Sequence, residues 1–295
     1  MAEETLLYGG RAIATFHAGK HYYVVAVPDL GIRKLYQPGV TTIIGMKDKS
    51  GPLLPWAVGM MTTRVKELAK LQPDPIPRQT LFTLLDSAED SYRDAKQEAA
   101  DIGSLVHRVL EQALLGTFDA SMLPLKADAL LAPDLTPEMV ELANNAIAAG
   151  LAFFSQYTIK VLATERVVWS PTYGFIGTTD LLAEVDGETC ILDFKTAKRP
   201  YPENFIQLAA YQTAISEEKP ELEITKRWVV RVGKDGKLMA ESRDNSTLEE
   251  DFICFRALHR VWQWERQNGR FPKEPIEIVG NLRKLLEAIG GSTQG

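Results

Sequence analysis

The chain has 295 residues, enough for one large domain or two modest ones. Apolar residues make up 45% and charged residues 24%, an ordinary balance for a globular protein, and no apolar run is long enough to read as a membrane span. The net charge of −6 excludes a uniformly basic nucleic-acid-binding surface, but not a local groove or a site that works through bound metal ions.

The N-terminal MAEETLLYGG is acidic and lacks the basic-then-apolar pattern of a secretion signal. Cys190 and Cys254 are far apart and form no CxxC pair. A disulfide framework, a zinc finger and an iron–sulfur cluster are therefore disfavoured, and a reducing cytoplasm is the natural compartment.

In chain order, the first part reads as β-rich. Segments 11–16 and 21–27 flank Ala18-Gly19-Lys20 as a hairpin that Pro28 ends, and VTTIIG at 40–45 reads as a short strand. From Pro52 to about Leu71 the pattern is helical, with Trp56, Met60, Val65 and Leu68 as candidate buried positions. The proline-rich 72–78 must be a loop, and a helical reading resumes over 80–115 with a break near Asp101–Gly103. Residues 117–135 read as an irregular connection. Thr136-Pro137-Glu138 starts a helix to about Tyr157, with Thr136 as N-cap.

Three strand-like runs follow, at 161–169, 175–185 and 188–196. Pro202 opens a helix to about Ser216, and 224–232 with 237–242 form a hairpin around Asp235-Gly236. Ser246 with Glu249 reads as a capping box for a last helix that Gly269 stops near Asn268. The order helix, three strands, helix, hairpin, helix predicts a mixed α/β core behind an N-terminal β/α extension. The expected divisions are 1–100 for the extension, 101–270 for the core and 271–295 for a partly disordered tail.

The chemistry concentrates in GTTDLLAEVDGETCILDFKT, residues 177–196. Asp186-Gly187 is a strong two-residue hairpin signal. With that turn Val185 faces Glu188, and the same register sets Asp180 directly opposite Asp193 on one face of the sheet. Lys195 shares that face, while Leu192 and Phe194 point to the other, toward a core. Like charges directly opposite each other are destabilising unless a cation or a shared proton intervenes. A divalent ion resolves the conflict, and oxygen ligands select Mg²⁺ or Mn²⁺ over zinc. A lysine beside a metal and a water makes a coherent site for phosphodiester hydrolysis.

Three further features flank it. Gln207 and Tyr211 are one turn apart on the helix that follows the DxK strand; alone they would read as the polar edge of an amphipathic helix. In GSLVHRVLEQAL, residues 103–114, His107 and Glu111 are one turn apart. A helical histidine is more often a packed residue than a ligand, although neutral imidazole can bind metal. Glu165, in TERVVW, reads equally as a solvated strand carboxylate or as a site residue.

Together, Gly103/His107/Glu111, Gly177/Asp180, Asp193-Phe194-Lys195-Thr196 and Gln207-Leu208/Tyr211 resemble the RecB-like branch of the PD-(D/E)xK nucleases, over roughly residues 100–265. The hairpin GFIGTTDLLAEVDGETCILDFKT looks close to those of phage exonucleases and mitochondrial genome maintenance exonucleases. The resemblance implies a restriction-endonuclease-like α/β fold with a central mixed β-sheet flanked by helices. It implies that His107, Asp180, Asp193 and the Phe194 carbonyl bind one or two Mg²⁺ or Mn²⁺ ions, that Lys195 supports the water, and that Gln207 and Tyr211 organise the site or contact DNA. Glu165 joins the catalytic candidates. Thr179 stands where the family usually has proline, and the cysteines that hold an iron–sulfur cluster in some relatives are absent.

The leading expectation is a DNA exonuclease acting on linear ends. A structure-specific endonuclease on the same site and a non-catalytic DNA-binding scaffold are the alternatives, the scaffold ranking lower because Asp180, Asp193 and Lys195 are all present. Charge nominates Lys47, Lys49, Arg64, Lys66, Arg78, Arg108 and Lys198, with Thr196, for phosphate contacts. A phage recombination role would add a single-strand annealing protein as partner; no membrane is expected.

Overall fold

The computed structural model describes residues 3–17, 22–88, 91–126 and 135–269. The expected Ala18-Gly19-Lys20 turn, the middle of the 117–135 connection and the expected tail at 271–295 lie outside these residues.

The N-terminal region is a four-stranded antiparallel meander: β1 (Glu3–Leu7), β2 (Ala12–His17), β3 (Tyr22–Val27) and β4 (Ile32–Gln37). Its apolar face, with Leu7, Ala12, Ala14, Val25, Val27 and Leu35, packs on Trp169 and Ile176. The reading of 40–45 as a strand is corrected to a short helix, α1 (Val40–Ile44). β-branched residues favour strands, but Val40, Ile43 and Ile44 recur at helical spacing and all three are buried.

Helices α2 (Ser50–Ala69), α3 (Arg78–Ala88) and α4 (Ser91–Leu114) follow. Helix α2 buries no residue fully, so Trp56, Met60, Val65 and Leu68 are half-buried rather than core. The expected break at Asp101–Gly103 is absent, since α4 runs straight through it. Ile102, Leu105, Val106, Val109 and Leu110 form a continuous buried stripe, and burying that stripe outweighs the helix cost of one glycine, about 1 kcal/mol. Helix α5 (Pro137–Gln156) starts as expected, with the Thr136 hydroxyl accepting from the Met139 amide at 3.3 Å.

The central sheet has the order β5 (Ile159–Ser170), β6 (Phe175–Val185), β7 (Glu188–Lys195), β8 (Lys226–Val232), β9 (Leu238–Asp244). β7 and β8 are parallel and the other neighbours antiparallel, so the sheet is mixed. Helix α6 (Pro202–Glu218) makes the crossover between the parallel pair. Helices α4 and α5 cover one face, where Leu181, Leu192 and Phe194 join their core. Helices α1, α6 and α7 (Leu248–Gln267) cover the other, over Leu182, Ile191 and Val229. The molecule is therefore the expected α/β fold, a mixed five-stranded sheet flanked by helices, with the small N-terminal sheet at the β5–β6 end.

The expected capping box of Ser246 and Glu249 does not form. Asp244 instead accepts from the Ser246 amide at 2.9 Å, and a 3-10 turn, Asn245–Thr247, leads into α7. Gly269 adopts φ 97°, the left-handed stop read from the sequence. Among the described residues, no helix is long and apolar enough to cross a membrane.

Candidate active site

The turn at Asp186-Gly187 has positive φ at both residues, 49° and 87°, as a two-residue hairpin loop requires. It sets Val185 against Glu188, and the register then holds to Leu181 against Leu192. The next pair in that series would be Asp180 and Asp193, and there the pairing ends. The Phe194 amide donates to Asp180 Oδ2 at 2.7 Å, so a carboxylate takes a bond that a strand backbone would otherwise accept. β7 continues with β8 as far as Lys195–Arg231, and β6 continues with β5 back to Phe175. The expectation of two directly paired aspartates is thus replaced by a fork in the sheet with one aspartate on each arm.

Each arm has its own partners. On β7, Asp193 is 1% exposed and Lys195 Nζ lies 2.8 Å from its Oδ1 and 2.7 Å from its Oδ2. Gln207 Nε2, from α6, donates to Asp193 Oδ1 at 3.3 Å and to the Tyr211 hydroxyl at 3.0 Å. Gly177 explains how Tyr211 reaches this position. A Cβ at residue 177 would lie 2.6 Å from Tyr211 Cε1, closer than real atoms approach, and 3.2 Å from Val40 Cγ2, a tight contact. The separated GxxD and QLxxY elements of the sequence are therefore two sides of one packing contact.

On β6, Asp180 Oδ2 lies 3.5 Å from His107 Nδ1, brought by α4, and the His107 ring meets Phe194 edge-on. Glu165 completes this half, because His107, Glu165 and Asp180 offer ligand atoms that all lie within 4.8 Å of one another. A β-bulge produces the arrangement. The β5–β6 register shifts between Val161 and Ala163, so Leu162 is an extra residue. Beyond it Thr164 faces Leu181 and Arg166 faces Thr179, which leaves Glu165 level with Asp180. Glu165 also adopts φ 42°, a conformation that costs a residue with a side chain about 1 kcal/mol or more and clusters at functional sites. Glu111, one turn from His107, accepts from the Thr164 hydroxyl at 2.9 Å and steadies this stretch of β5.

The electrostatics reflect the crowding. Desolvation and then the charge of Asp180 push the Glu165 carboxyl up to about 7, with His107 opposing. Glu165 is solvent-exposed as a residue, so the nearby Asp180 charge is the cause that the geometry carries best. Burial raises Asp193 above the usual carboxylate range although Lys195 opposes it. Burial works against the Lys195 ammonium, but Asp193 and Asp180 outweigh it and hold its pKa above the ordinary lysine value. Burial also raises Tyr211 well above the usual phenol value, and Asp193 adds to the shift.

A divalent cation fits this donor set. Glu165 and Asp180 bring two carboxylates, and His107 one imidazole, to within 4.8 Å of one another, and the buried Asp193 charge also acts on Glu165, so a cation here would offset their repulsion. The set is oxygen-rich and holds no cysteine, which favours a hard ion.

The phosphate-contact candidates spread more widely. Thr196 is half-buried directly after Lys195, while Lys198 and Arg108 are exposed, close in sequence to Lys195 and His107. Arg64 pairs with Glu67, Lys47 and Lys49 both reach Glu203, and Arg78 lies over the Phe82 ring. Lys66 is exposed on α2. Sequence reasoning missed Tyr23, whose hydroxyl shares a 3.0 Å hydrogen bond with Thr178, two residues before Asp180. The signal was the pair Tyr22-Tyr23 in an alternating strand, which sends one ring to each face.

Comparison with known proteins gives three findings. The sequence model of the PD-(D/E)XK nuclease superfamily matches residues 80–277. The human protein "Mitochondrial genome maintenance exonuclease 1" is 23% identical over 187 residues, covering 57% of this chain. The chain spans about half of that relative's length, 49%. A solved structure from Eubacterium rectale, provisionally named an exonuclease, is 15% identical with a TM-score of 0.40, over 63% of this chain and 74% of that one.

Proposed function

Because this chain belongs to the PD-(D/E)XK nuclease superfamily, we propose that it is a Mg²⁺- or Mn²⁺-dependent deoxyribonuclease that hydrolyses linear DNA from its ends. The observation that carries the reading is the fork, where His107, Glu165 and Asp180 converge beside the buried Asp193–Lys195 pair. The relative named as an exonuclease supports action on ends.

In this reading Asp180, Asp193, His107 and the Phe194 carbonyl would hold one or two ions, with Glu165 beside His107 and Asp180. The bound ion supplies Lewis-acid charge that offsets the phosphate and makes water a better nucleophile. Lys195, kept charged by Asp193, orients that water and stabilises the negative charge it acquires. Gln207 fixes the Asp193 carboxylate through Oδ1 and is itself fixed by Tyr211. Arg108, Lys198, Thr196 and Arg64 are the candidates for steering the DNA backbone. Residues 1–100 then act as an extension beside a catalytic core at 101–270. The setting is the cytoplasm of a bacterial or phage-infected cell, in DNA recombination or repair.

The test is to incubate the protein with linear and covalently closed circular DNA, in Mg²⁺ and in EDTA. Loss of linear DNA alone, only with Mg²⁺, is expected. Cleavage of closed circles would make it an endonuclease, and no cleavage in Mg²⁺ or Mn²⁺ would contradict the enzymatic reading.

A further inference from the structure

β7 leaves the central sheet immediately after Lys195. Its register with β8 ends at the pair Lys195–Arg231, and residues 196–200 belong to no strand or helix. The carbonyls of such a segment lose their ladder partners and need others. Arg231 supplies one. Its Nε donates to the Ala197 carbonyl at 2.9 Å, two residues beyond Lys195. The same guanidinium reaches the turn between β8 and β9, where Nη1 donates to the Lys237 carbonyl at 2.8 Å and lies 2.8 Å from Asp235 Oδ1. Gly233 makes room for it, because a Cβ there would lie 2.0 Å from Arg231 Nη1 and 2.2 Å from its Cζ. From the other side, α4 approaches at Gly103, one turn before His107; a Cβ there would lie 3.6 Å from the Thr196 hydroxyl. The chain leaving Lys195 thus runs between the helix that carries His107 and a buried arginine.

We propose that Arg231 is a positioning residue for Lys195, acting through the Ala197 carbonyl. The inference rests on the nuclease reading above and adds to it what fixes the lysine from its C-terminal side. The direction in which the Lys195 side chain leaves the backbone follows from the course of the chain on both sides of it. Before it stands the paired strand β7, and after it stands the bond to Arg231. A fastening that served only to hold the β8–β9 turn would not need Nε, because the Nη1 contacts to Lys237 and Asp235 do that alone. Filling the space would not need a charge either. Arg231 is 6% exposed, and burying a guanidinium costs more than burying an apolar side chain of the same size. What the guanidinium adds is a rigid fork of donors, which bonds the Ala197 carbonyl and the turn at once.

The test separates Nε from the rest of the guanidinium. Arg231→Gln puts an amide nitrogen where Nε stands, so it keeps a donor for Ala197 and loses those for Lys237 and Asp235. Arg231→Met fills the same stem and keeps no donor. Hydrolysis of linear DNA in Mg²⁺ is measured over a range of substrate concentrations, with folding checked by circular dichroism. Hydrogen–deuterium exchange is followed by mass spectrometry in the peptide covering residues 194–201. Arg231→Met should lower kcat at least about ten-fold with KM unchanged, as for a displaced catalytic group, and should raise exchange in that peptide. Arg231→Gln should recover both. Asp235→Ala, which keeps the Ala197 bond, should leave kcat unchanged. Gly233→Ala pushes the guanidinium away, should behave like Arg231→Met, and takes its place if that variant does not fold. The proposal is overturned if Arg231→Gln is as slow as Arg231→Met, if Asp235→Ala is equally slow, or if only KM changes. If the unmodified chain hydrolyses no DNA, the nuclease reading fails, and exchange alone then decides whether Arg231 fixes the segment. Exchange unaltered in Arg231→Met would overturn that as well.

Discussion

Gly177 shows how a single hydrogen side chain can set the geometry of a site. Tyr211 and Val40 occupy the space that any Cβ there would need. Gly177→Ala must push Tyr211 back, and Tyr211 holds Gln207, which in turn holds Asp193. Overpacking of this kind costs roughly 1–3 kcal/mol. Urea denaturation should show that loss, and DNA hydrolysis should fall further than the lost stability alone accounts for. A fully active Gly177→Ala variant would break the link between Tyr211 packing and the site. Asp193, Lys195, Gln207 and Tyr211 were legible from spacing, since a DxK strand and an i, i+4 pair state their own faces. The position of Glu165 was not. It depends on the extra residue at Leu162, and nothing in the run VLATERVV marks where a bulge falls. Without the bulge, strand parity would send that carboxylate to the other face of the sheet.

Among the elements, those with a strong local signal matched the reading: the Asp186-Gly187 turn, the Thr136 cap and the Gly269 stop. The differences arose where tertiary burial overrode local preference. Val40–Ile44 is helical because its β-branched side chains fill a gap between α6 and α7, and α4 passes through Gly103 because its buried stripe is continuous. Helix α7 shows a long-range determinant that sequence could not supply. Arg227 on β8 is fully buried and pairs with Asp251 on α7 at 2.8 Å, and Arg243 on β9 reaches the same carboxylate at 2.7 Å. Asp251→Ala strands the Arg227 guanidinium in the interior, and breaking a buried pair in this way costs about 3 kcal/mol or more. Replacing both partners, as Arg227→Met with Asp251→Leu, should cost less than Asp251→Ala alone. Chemical denaturation of the two variants makes the comparison, and the opposite order would show that the pair does not anchor the helix.

At the scale of the molecule, the N-terminal sheet is fastened to the core by a polar seam as well as an apolar one. The Tyr8 hydroxyl donates to the Trp169 carbonyl at 3.0 Å, and Glu218 accepts from the Tyr8 amide and from Arg166. Beside it Glu217 accepts from the Ser170 hydroxyl at 2.8 Å, and burial pushes its carboxyl up to about 7. A carboxyl whose pKa is higher in the fold binds its proton more tightly there than in the unfolded chain. Its effect on stability is therefore absent at acid pH and becomes unfavourable as pH rises from the ordinary carboxylate range through about 7. Glu217→Gln keeps the acceptor for Ser170 and removes the titration. Above pH 7 the variant should be more stable than the unmodified chain by roughly 1–3 kcal/mol, and the difference should shrink toward pH 5. Thermal denaturation across that range reads it directly, and a difference independent of pH would contradict the assignment. The same sheet brings Tyr23 to Thr178, two residues before Asp180.

The central claim is that the fork at Asp180 and Asp193 is a metal-dependent nuclease centre. The most direct measurement is the rate at which end-labelled linear DNA is hydrolysed in Mg²⁺ by the unmodified chain and by Asp180→Asn and Lys195→Ala, with folding checked by circular dichroism. The account predicts hydrolysis that EDTA abolishes and that each substitution lowers by about a hundred-fold or more, the scale on which single catalytic groups act. Hydrolysis that survives either substitution in a folded protein would place the chemistry elsewhere and contradict the account.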